Sequence, residues 1–275
     1  MPYPRTGRLT QLTRGANLVV KLIKGLFLVG AIMPAVQPHK RDVIIEQWCR
    51  EVQEALSIRL VFQGERPPEK VSSVLFVANH VSWMDILVIN ACRRAHFVAK
   101  AEVRQWPLVG WMAARTGTLF LKRTSLHELA RVTQGVTASL RRGQCVALFP
   151  EGTTTDGASL RTFHSGLFES AIDAEALVWP VAIQYRGQDG RHDADIAFVG
   201  DQTLVASIRT VLTRPTTQAR LSFAPPMESS AGNRRELTAW SRQAIERGLA
   251  GRSPLAPPSP LSTQEDDTFP PLSAA

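Results

Sequence analysis

Short apolar runs alternate with amphipathic stretches along most of the chain, and this pattern predicts an α/β fold. We predict strands at 73–78, 96–99, 117–122, 145–149, 178–184, 195–199 and 220–223. Helical spacing of apolar positions falls between several of these strands, most clearly over 126–142. The alternation predicts a layered domain with a mixed, largely parallel sheet flanked by helices. In such sheets, functional sites gather at the carboxyl ends of the strands.

The N-terminal segment has a different pattern. Apolar residues recur at near-helical spacing from Leu9 to Leu26 with basic residues between them, and 26–36 is apolar without a break. This combination predicts a membrane-surface anchor, with Lys21 and Lys24 reaching lipid headgroups. A soluble core helix and a signal peptide are the alternatives, although the basic region of a signal peptide would be unusually long here. No uninterrupted apolar run reaches the ~18 residues of a clear transmembrane helix.

These patterns divide the chain into segments. Before the main domain we predict a membrane-associating segment over 1–40, then a helix and linker over 41–66. An α/β domain follows over 67–250 and ends in a helix at Arg234–Leu249. The remainder, 251–275, is rich in proline and serine and is predicted to be disordered.

Composition narrows the partners. The 275 residues carry a formal net charge of +8, which suits nucleic acid, an anionic membrane surface or acidic substrates. The α/β region has no zinc finger, aromatic RNA-binding block or concentrated basic helix, so we expect no nucleic-acid partner. Three widely spaced cysteines, Cys49, Cys92 and Cys145, argue against a disulfide framework or zinc site and fit a reducing compartment.

The stretch "NHVSWMD" places polar residues between two apolar runs. Asn79 and His80 fall in the turn after the strand at 73–78. Ser82 and Asp85 are spaced as an N-cap and the third helical residue, an acidic form of the capping box. From that position Asp85 can also reach back to His80, giving a general base and the carboxylate that orients it. A purely structural histidine is the alternative.

Two further strand ends carry polar residues. In "FPEGTTTDG", Glu151, Gly152 and Thr153 form a turn rich in hydroxyls and backbone N–H groups, which can hold polar or anionic groups. The turn lacks the GxxxxGK[ST] pattern of an ATP-binding loop and is otherwise an ordinary polar loop. In "TGTLFLKR", Lys122 and Arg123 suit a phosphate or carboxylate, or simply a solvated helix entry.

Taken in order, "NHVSWMD", "GTLFLKR", "FPEGT" and "VWPVAI" resemble the motif blocks of the glycerolipid and lysophospholipid acyltransferases, the 1-acylglycerol-3-phosphate acyltransferase family. "VAKAEVRQWPLVGWMA" resembles the family's segment between the first two blocks. The likeness spans roughly residues 70–225. HxxxxD alone is weak, but HxxxxD followed by FPEGT at this distance is specific.

The resemblance implies an enzyme that transfers a fatty acyl group from acyl-CoA or acyl-ACP to the hydroxyl of a lysolipid, without a cofactor. The expected acceptor is 1-acyl-glycerol-3-phosphate, giving phosphatidic acid. His80 would be the general base and Asp85 its orienter. The expected substrate-binding residues are Asn79, Lys122, Arg123, Glu151, Gly152 and Thr153. Acyl carrier protein is a candidate partner, and the cytoplasmic face of the inner membrane is the expected location.

One departure from the family pattern concerns the acceptor. Many members that acylate lysophosphatidic acid carry an arginine directly after FPEGT, where this chain has Thr154. Lys122, Arg123 or Arg161 could supply the missing cation. Lyso-ornithine lipid or another lysophospholipid is therefore the alternative acceptor.

The sequence also bears on the reaction type. It has no GxSxG elbow, and Cys145 lies in an apolar strand, so we expect direct transfer without an acyl-enzyme. A thioesterase or hydrolase using the same His–Asp pair on water is a rival class, and a non-catalytic basic module is another.

Overall fold

The computed structural model describes residues 3–68, 70–122, 125–253 and 255. The helices are α1 Arg8–Phe27, α2 Pro38–Ala55, α3 Met84–Cys92, α4 Val109–Arg115, α5 Leu126–Arg141, α6 Glu169–Asp173, α7 Leu204–Thr213 and α8 Arg234–Leu249. The strands are β1 Ile58–Gln63, β2 Val74–Ala78, β3 His96–Lys100, β4 Leu119–Leu121, β5 Val146–Leu148, β6 Leu177–Arg186, β7 Thr217–Phe223 and β8 Met227–Glu228. Most of the tail predicted to be disordered lies outside the described residues.

The strands form one mixed sheet in the order β1-β7-β6-β2-β5-β3-β4, with β8 added beside β6. Strands β6, β2, β5, β3 and β4 run parallel to one another, whereas β7 is antiparallel to β6. The predicted α/β fold class is confirmed. Because β2 and β5 are neighbours, the turns that follow them lie side by side at one edge of the sheet.

The sheet separates two apolar layers, as the side-chain alternation of a strand requires. On β2, Val74, Phe76 and Ala78 pack with α1, α2, α3 and α7. Leu75 and Val77 face the other way, toward α5, α6 and α8. Every residue of β2 is buried. Burial of each such side chain contributes about 1.5–3 kcal/mol, so β2 is a rigid base for the turn that follows it.

One predicted strand is wrong and one observed strand was not predicted. The chain at 195–199 forms a short 3₁₀ turn at Ala194–Ile196 and then an irregular segment, whose Phe198 N–H donates to Val81 O. Strand β1 was not predicted, because the apolar spacing over 42–58 predicts a helix that runs up to its first residue. The helix ends at Ala55, and Ser57, with a φ of 56°, turns the chain into β1. Since β1 pairs with β7, the sheet begins before residue 67, the domain boundary expected from the sequence.

Helix α1 is docked on α2 by one face. Gly25 allows the close approach, because a Cβ at this position would lie 2.6 Å from the Trp48 ring. Lys21 and Lys24 pair with Glu51 at 3.1 and 2.7 Å. These two lysines therefore bind α2, contrary to the expectation that they reach lipid headgroups.

The opposite face of α1 is apolar and exposed. Its side chains have exposed fractions of 54% to 75%, at Leu9, Leu12, Val19, Val20, Ile23 and Phe27. With the helical turns that continue it to Ala35, the segment is 28 residues long and apolar enough to cross a membrane, by length and composition. The predicted amphipathic helix is therefore present, with its polar side on the protein.

Candidate active site

The turn after β2 is fixed to the neighbouring strand by Asn79. Its side-chain nitrogen donates to Ile183 O at 2.9 Å, and its oxygen accepts from Ile183 N at 2.7 Å. The side chain is fully buried. Asn79 therefore positions the turn between β2 and β6 through its amide, and the substrate contact expected of it from the sequence stays a prediction.

His80 and Asp85 are in direct contact, as their spacing predicts. The Nδ1 atom of His80 lies 2.7 Å from Asp85 Oδ2. The same oxygen accepts the N–H groups of Val81 and Ser82 at 2.7 and 3.0 Å. A buried carboxylate with these donors is held as an acceptor, which places the proton on Nδ1 and leaves Nε2 free to take one. Among the described residues Nε2 has no hydrogen-bond partner, and the His80 side chain is 19% exposed.

The predicted capping box is only half present. Helix α3 begins at Met84 with Trp83 as its N-cap, so Ser82 lies outside the capping position. The Ser82 hydroxyl is buried and has no hydrogen-bond partner among the described residues. The carboxylate half does form, because Asp85 accepts the Ser82 N–H. Asp85 therefore serves the turn and His80 together.

The loop after β5 holds the backbone of His80 on both sides. Glu151 accepts the His80 N–H at 2.8 Å with one oxygen and the Arg161 N–H at 2.9 Å with the other. The Thr155 N–H donates to His80 O at 2.8 Å. Glu151 is only 4% exposed, and burial raises the pKa of its carboxyl. Glu151 therefore holds the backbone of His80, and its contact with the acceptor lipid stays a prediction.

Phe149 packs against the imidazole of His80. Its ring stacks on that of His80 with centroids 4.0 Å apart and an interplanar angle of 9°. One face of the His80 ring is thereby covered by an apolar side chain. Together with the contact to Asp85, this fixes the direction in which Nε2 points.

The remaining residues of the loop form its outer turn. Gly152 has a φ of 72°, a conformation that favours glycine, and its N–H donates to Phe149 O at 3.0 Å. Thr153 follows and is half-buried. The Thr154 hydroxyl donates to Phe198 O, which ties the loop to the irregular segment after Ile196. The position that follows FPEGT is therefore occupied by an internal contact and carries no charge.

The basic residues predicted to bind substrate, Lys122 and Arg123, follow a strand at the edge of the sheet. Lys122 is exposed directly after β4. Strand β4 is the third strand from β2 on that side of the sheet, so the two strands are about 14 Å apart at the usual inter-strand spacing. The sheet thus brings His80 and Glu151 together but leaves Lys122 at its edge. Arg123 lies outside the described residues.

Tyr185 is a site residue that the sequence analysis missed. It lies on β6, is fully buried, and donates from its hydroxyl to Asp85 Oδ1 at 2.8 Å. Burial and the charge of Asp85 raise the pKa of Tyr185 well above its ordinary value, so it remains a donor. The available signal was a tyrosine directly after the strand predicted at 178–184, since a buried tyrosine hydroxyl normally has a partner.

The three cysteines are buried or partly buried. Burial raises the pKa of Cys145, and that of Cys49 and Cys92 to about 12, which disfavours their thiolates. No cluster of three or more histidine, cysteine, aspartate or glutamate side chains among those residues could hold a metal ion.

Comparison with known proteins identifies relatives of this chain. The acyltransferase family model matches residues 59–184, a range that begins in β1 and ends in β6. A lyso-ornithine lipid O-acyltransferase of Pseudomonas aeruginosa is 37% identical over 250 residues, which cover 89% of this chain and 95% of that protein. A 1-acyl-sn-glycerol-3-phosphate acyltransferase of Neisseria meningitidis is 40% identical over 157 residues, covering 57% of this chain and 61% of that protein.

The fold also has a counterpart among solved structures. The crystal structure of the 1-acyl-sn-glycerophosphate acyltransferase from Thermotoga maritima superposes with a TM-score of 0.65 at 21% identity, covering 88% of this chain and 94% of that one. The family model matches the centre of the chain, and the relative that is 37% identical matches nearly all of it. The chain therefore belongs to the acyltransferase family.

Proposed function

We propose that the protein transfers a fatty acyl group from a thioester donor, acyl-CoA or acyl-ACP, to the hydroxyl of a lysolipid, with His80 as the general base. The contact that supports this most directly is the 2.7 Å distance between His80 Nδ1 and Asp85 Oδ2. It orients the imidazole and leaves Nε2 open to an acceptor hydroxyl. A histidine in this arrangement is equipped to move a proton.

In the proposed reaction, His80 carries the proton of the acceptor hydroxyl. The acceptor hydroxyl gives its proton to Nε2 of His80 as its oxygen attacks the thioester carbonyl, and Asp85 stabilises the imidazolium that forms. Collapse of the tetrahedral intermediate expels the thiolate, which takes the proton back from Nε2. A general base of this kind accelerates such a step by roughly 10²–10⁴-fold.

The negative oxygen of the intermediate needs hydrogen-bond donors of its own, and each is worth about 3–4 kcal/mol. The N–H groups of His80, Val81 and Ser82 are nearest in sequence to the base. All three already donate, to Glu151 or Asp85. The oxyanion donors are therefore expected from another part of the site.

The test is an acyl-transfer assay with labelled acyl donor and a lysolipid. His80→Ala should abolish transfer, and His127→Ala, which removes an exposed histidine on α5, should not. Retention of more than a few per cent of the activity in His80→Ala would exclude His80 as the base. Release of free fatty acid at the same rate with and without acceptor would show a hydrolase instead.

Direct transfer is expected because the two candidate nucleophiles near the described site are not accessible. Cys145 and Ser82 are both buried. Incubation with labelled donor in the absence of acceptor should leave no label on the protein after denaturation. A labelled peptide containing Cys145 or Ser82 would replace the direct mechanism with a covalent one.

For the acceptor, we favour lyso-ornithine lipid, with 1-acyl-glycerol-3-phosphate as the second candidate. Thr154 stands where a phosphate-binding arginine is common, and its hydroxyl is engaged with Phe198 O. Ornithine carries an amine and a carboxylate in place of a phosphate monoester. A second relative with the lyso-ornithine name, from Rhodobacter capsulatus, is 31% identical and covers 92% of this chain and 94% of its own.

An acceptor panel separates the two candidates. Lyso-ornithine lipid, lysophosphatidic acid and other lysophospholipids are compared by kcat/KM, each with one acyl-CoA and one acyl-ACP. We expect the highest value for lyso-ornithine lipid. A higher value for lysophosphatidic acid would make phosphatidic acid the product.

Membrane association through the outer face of α1 completes the proposal, on the cytoplasmic side where thioester donors are found. Val20 and Ile23 are both 60% exposed on that face. Val20→Asp and Ile23→Asp keep the contacts of α1 with α2 and should release the protein from the membrane fraction. Full retention of both variants in that fraction would contradict the assignment.

A further inference from the structure

A second apolar feature lies between β3 and β4, at residues 107–111. Leu108 is 62% exposed, and Val109 and Trp111 are each 40% exposed. Leu108 has a φ of 62°, and the Val109 N–H donates to Pro107 O at 2.6 Å, which closes a tight γ-turn. The positive φ of Leu108 strains the backbone, and its apolar side chain is exposed to solvent. Backbone strain and exposed apolar patches are both typical of functional segments.

The surroundings of this 107–111 patch are basic. Exposed cations flank it at Lys100, Arg104, Arg115 and Lys122. From residue 100 to residue 122 the only acidic side chain is Glu102. The Arg115 guanidinium carbon lies 5.6 Å from the centre of the Trp111 ring. An apolar tip with a tryptophan and a basic rim has the chemistry of a contact with an anionic lipid surface.

The patch is continuous with the exposed face of α1. Gly30, in the π-helical turn that follows α1, lies against the Trp111 ring, and a Cβ on it would be 3.4 Å from Cη2. Phe27, at the end of α1, is itself 61% exposed. One lipid surface could therefore cover both elements.

The patch also adjoins the catalytic turn. Trp106, immediately before it, packs edge-on against Phe198 with ring centroids 6.3 Å apart. The Phe198 N–H donates to Val81 O at 2.8 Å, one residue after His80. One ring contact and one hydrogen bond therefore connect Trp106 to Val81, the residue that follows His80.

We propose that residues 107–111 insert into the anionic membrane surface as a second contact beside α1, so that the catalytic turn sits at the interface where a lipid acceptor leaves the bilayer. The role of the acceptor rests on the proposed function, whereas the membrane contact stands on the patch itself.

The experiment measures partition of the full chain onto vesicles of phosphatidylcholine with about one-third phosphatidylglycerol, without substrates. Leu108→Asp should weaken partition about tenfold, since it places a charge where the exposed leucine side chain would be buried in the membrane. Leu108→Gly relieves the positive φ while removing the side chain, and it should also weaken partition. The matched control is Gln243→Asp, an exposed position on α8 in the opposite layer, which should bind as the wild type does. Melting temperatures show that each variant is folded.

Two results would overturn the proposal. The first is wild-type partition of both Leu108 variants. If sedimentation velocity then shows that the wild type is a dimer and the variants are not, the patch is an interface between copies of the chain. The second is an equal loss in Gln243→Asp.

The result is separable from the proposed function. If the wild type transfers no acyl group but Leu108→Asp loses partition, the membrane contact stands and the proposed function fails. If transfer proceeds and partition is unaffected by both Leu108 variants, the reverse holds.

Discussion

The hydroxyl of Tyr185 donates to Asp85 Oδ1 at 2.8 Å, while Asp85 Oδ2 faces His80 Nδ1. The carboxylate that orients the base is therefore held from both sides and cannot rotate away without breaking a buried hydrogen bond. Because β6 is a central strand, Tyr185 is itself a rigid support.

Tyr185→Phe should lower kcat about tenfold and leave KM unchanged. The variant keeps the ring in the core and removes only the donor, and a hydrogen bond to a charged group contributes about 1.5–3 kcal/mol. Steady-state kinetics with a fixed acyl donor measure both constants. A rise in KM with kcat unchanged would show that Tyr185 does not act through Asp85.

Ser82→Ala is the matched control for loss of a hydroxyl next to Asp85. Since the Ser82 hydroxyl has no partner among the described residues, its removal should change neither kcat nor the melting temperature by much. A stability loss of about 1 kcal/mol would instead indicate that Ser82 caps α3 in solution.

Asp85→Asn should reduce stability as well as activity. The carboxylate accepts from Val81, Ser82 and Tyr185, and an amide can replace only part of this set because its NH₂ group faces donors. We expect a loss of about 2–4 kcal/mol in the free energy of unfolding, measured by denaturant titration. A variant as stable as the wild type but inactive would assign Asp85 to catalysis alone.

Glu151→Gln should lower kcat through the backbone of His80. One of the two accepting oxygens becomes an NH₂ group that faces a backbone N–H, at His80 or Arg161. The expected cost is about 2 kcal/mol in stability, with a fall in kcat of about tenfold. Glu54→Gln, at an exposed position on α2, is the control and should behave as the wild type in both assays.

His96 gives a prediction for the pH dependence of stability. Burial, with a smaller effect from Arg94, lowers the pKa of His96 from 6.5 to about 4. In the unfolded chain the imidazole binds a proton near pH 6.5, so its contribution to stability is present above that pH and is lost as the pH falls through about 4. The melting temperature of the wild type should therefore drop more steeply between pH 7 and pH 4.5 than that of His96→Asn.

Asparagine is chosen because its amide can still donate to Gly117 O, which lies 3.2 Å from His96 Nδ1. His127→Asn changes an exposed histidine and should follow the wild-type curve. Parallel curves for the wild type and His96→Asn would remove His96 as the source of the acid sensitivity.

The sequence predicted the parts of the site that are local. His80 and Asp85 are five positions apart, and a strand followed by a helix brings residues at that spacing together whatever surrounds them. The pairing of this turn with the FPEGT loop followed from strand-end placement. The hydrogen bonds of Asn79 and Glu151 could not be predicted in the same way. They depend on how far each side chain is buried, which is a property of the whole fold.

The contact between Tyr185 and Asp85 and the existence of strand β1 could not be predicted, for related reasons. Tyr185 meets Asp85 only because β6 lies beside β2, and strand order is not encoded in local periodicity. Strand β1 follows α2 after a two-residue turn, and its apolar residues continued the helical pattern. Both errors arise where tertiary pairing decides between local alternatives.

The pairing of β2 with β6 has a consequence for the order of folding. Residues 79 and 183 are bonded across 104 positions, and residues 85 and 185 across 100. Contacts of such separation form late, since a long loop must close before they repay its entropy. A chain leaving the ribosome therefore carries a complete HxxxxD motif well before it can hold the base in place, and a fragment ending before β6 should be catalytically silent.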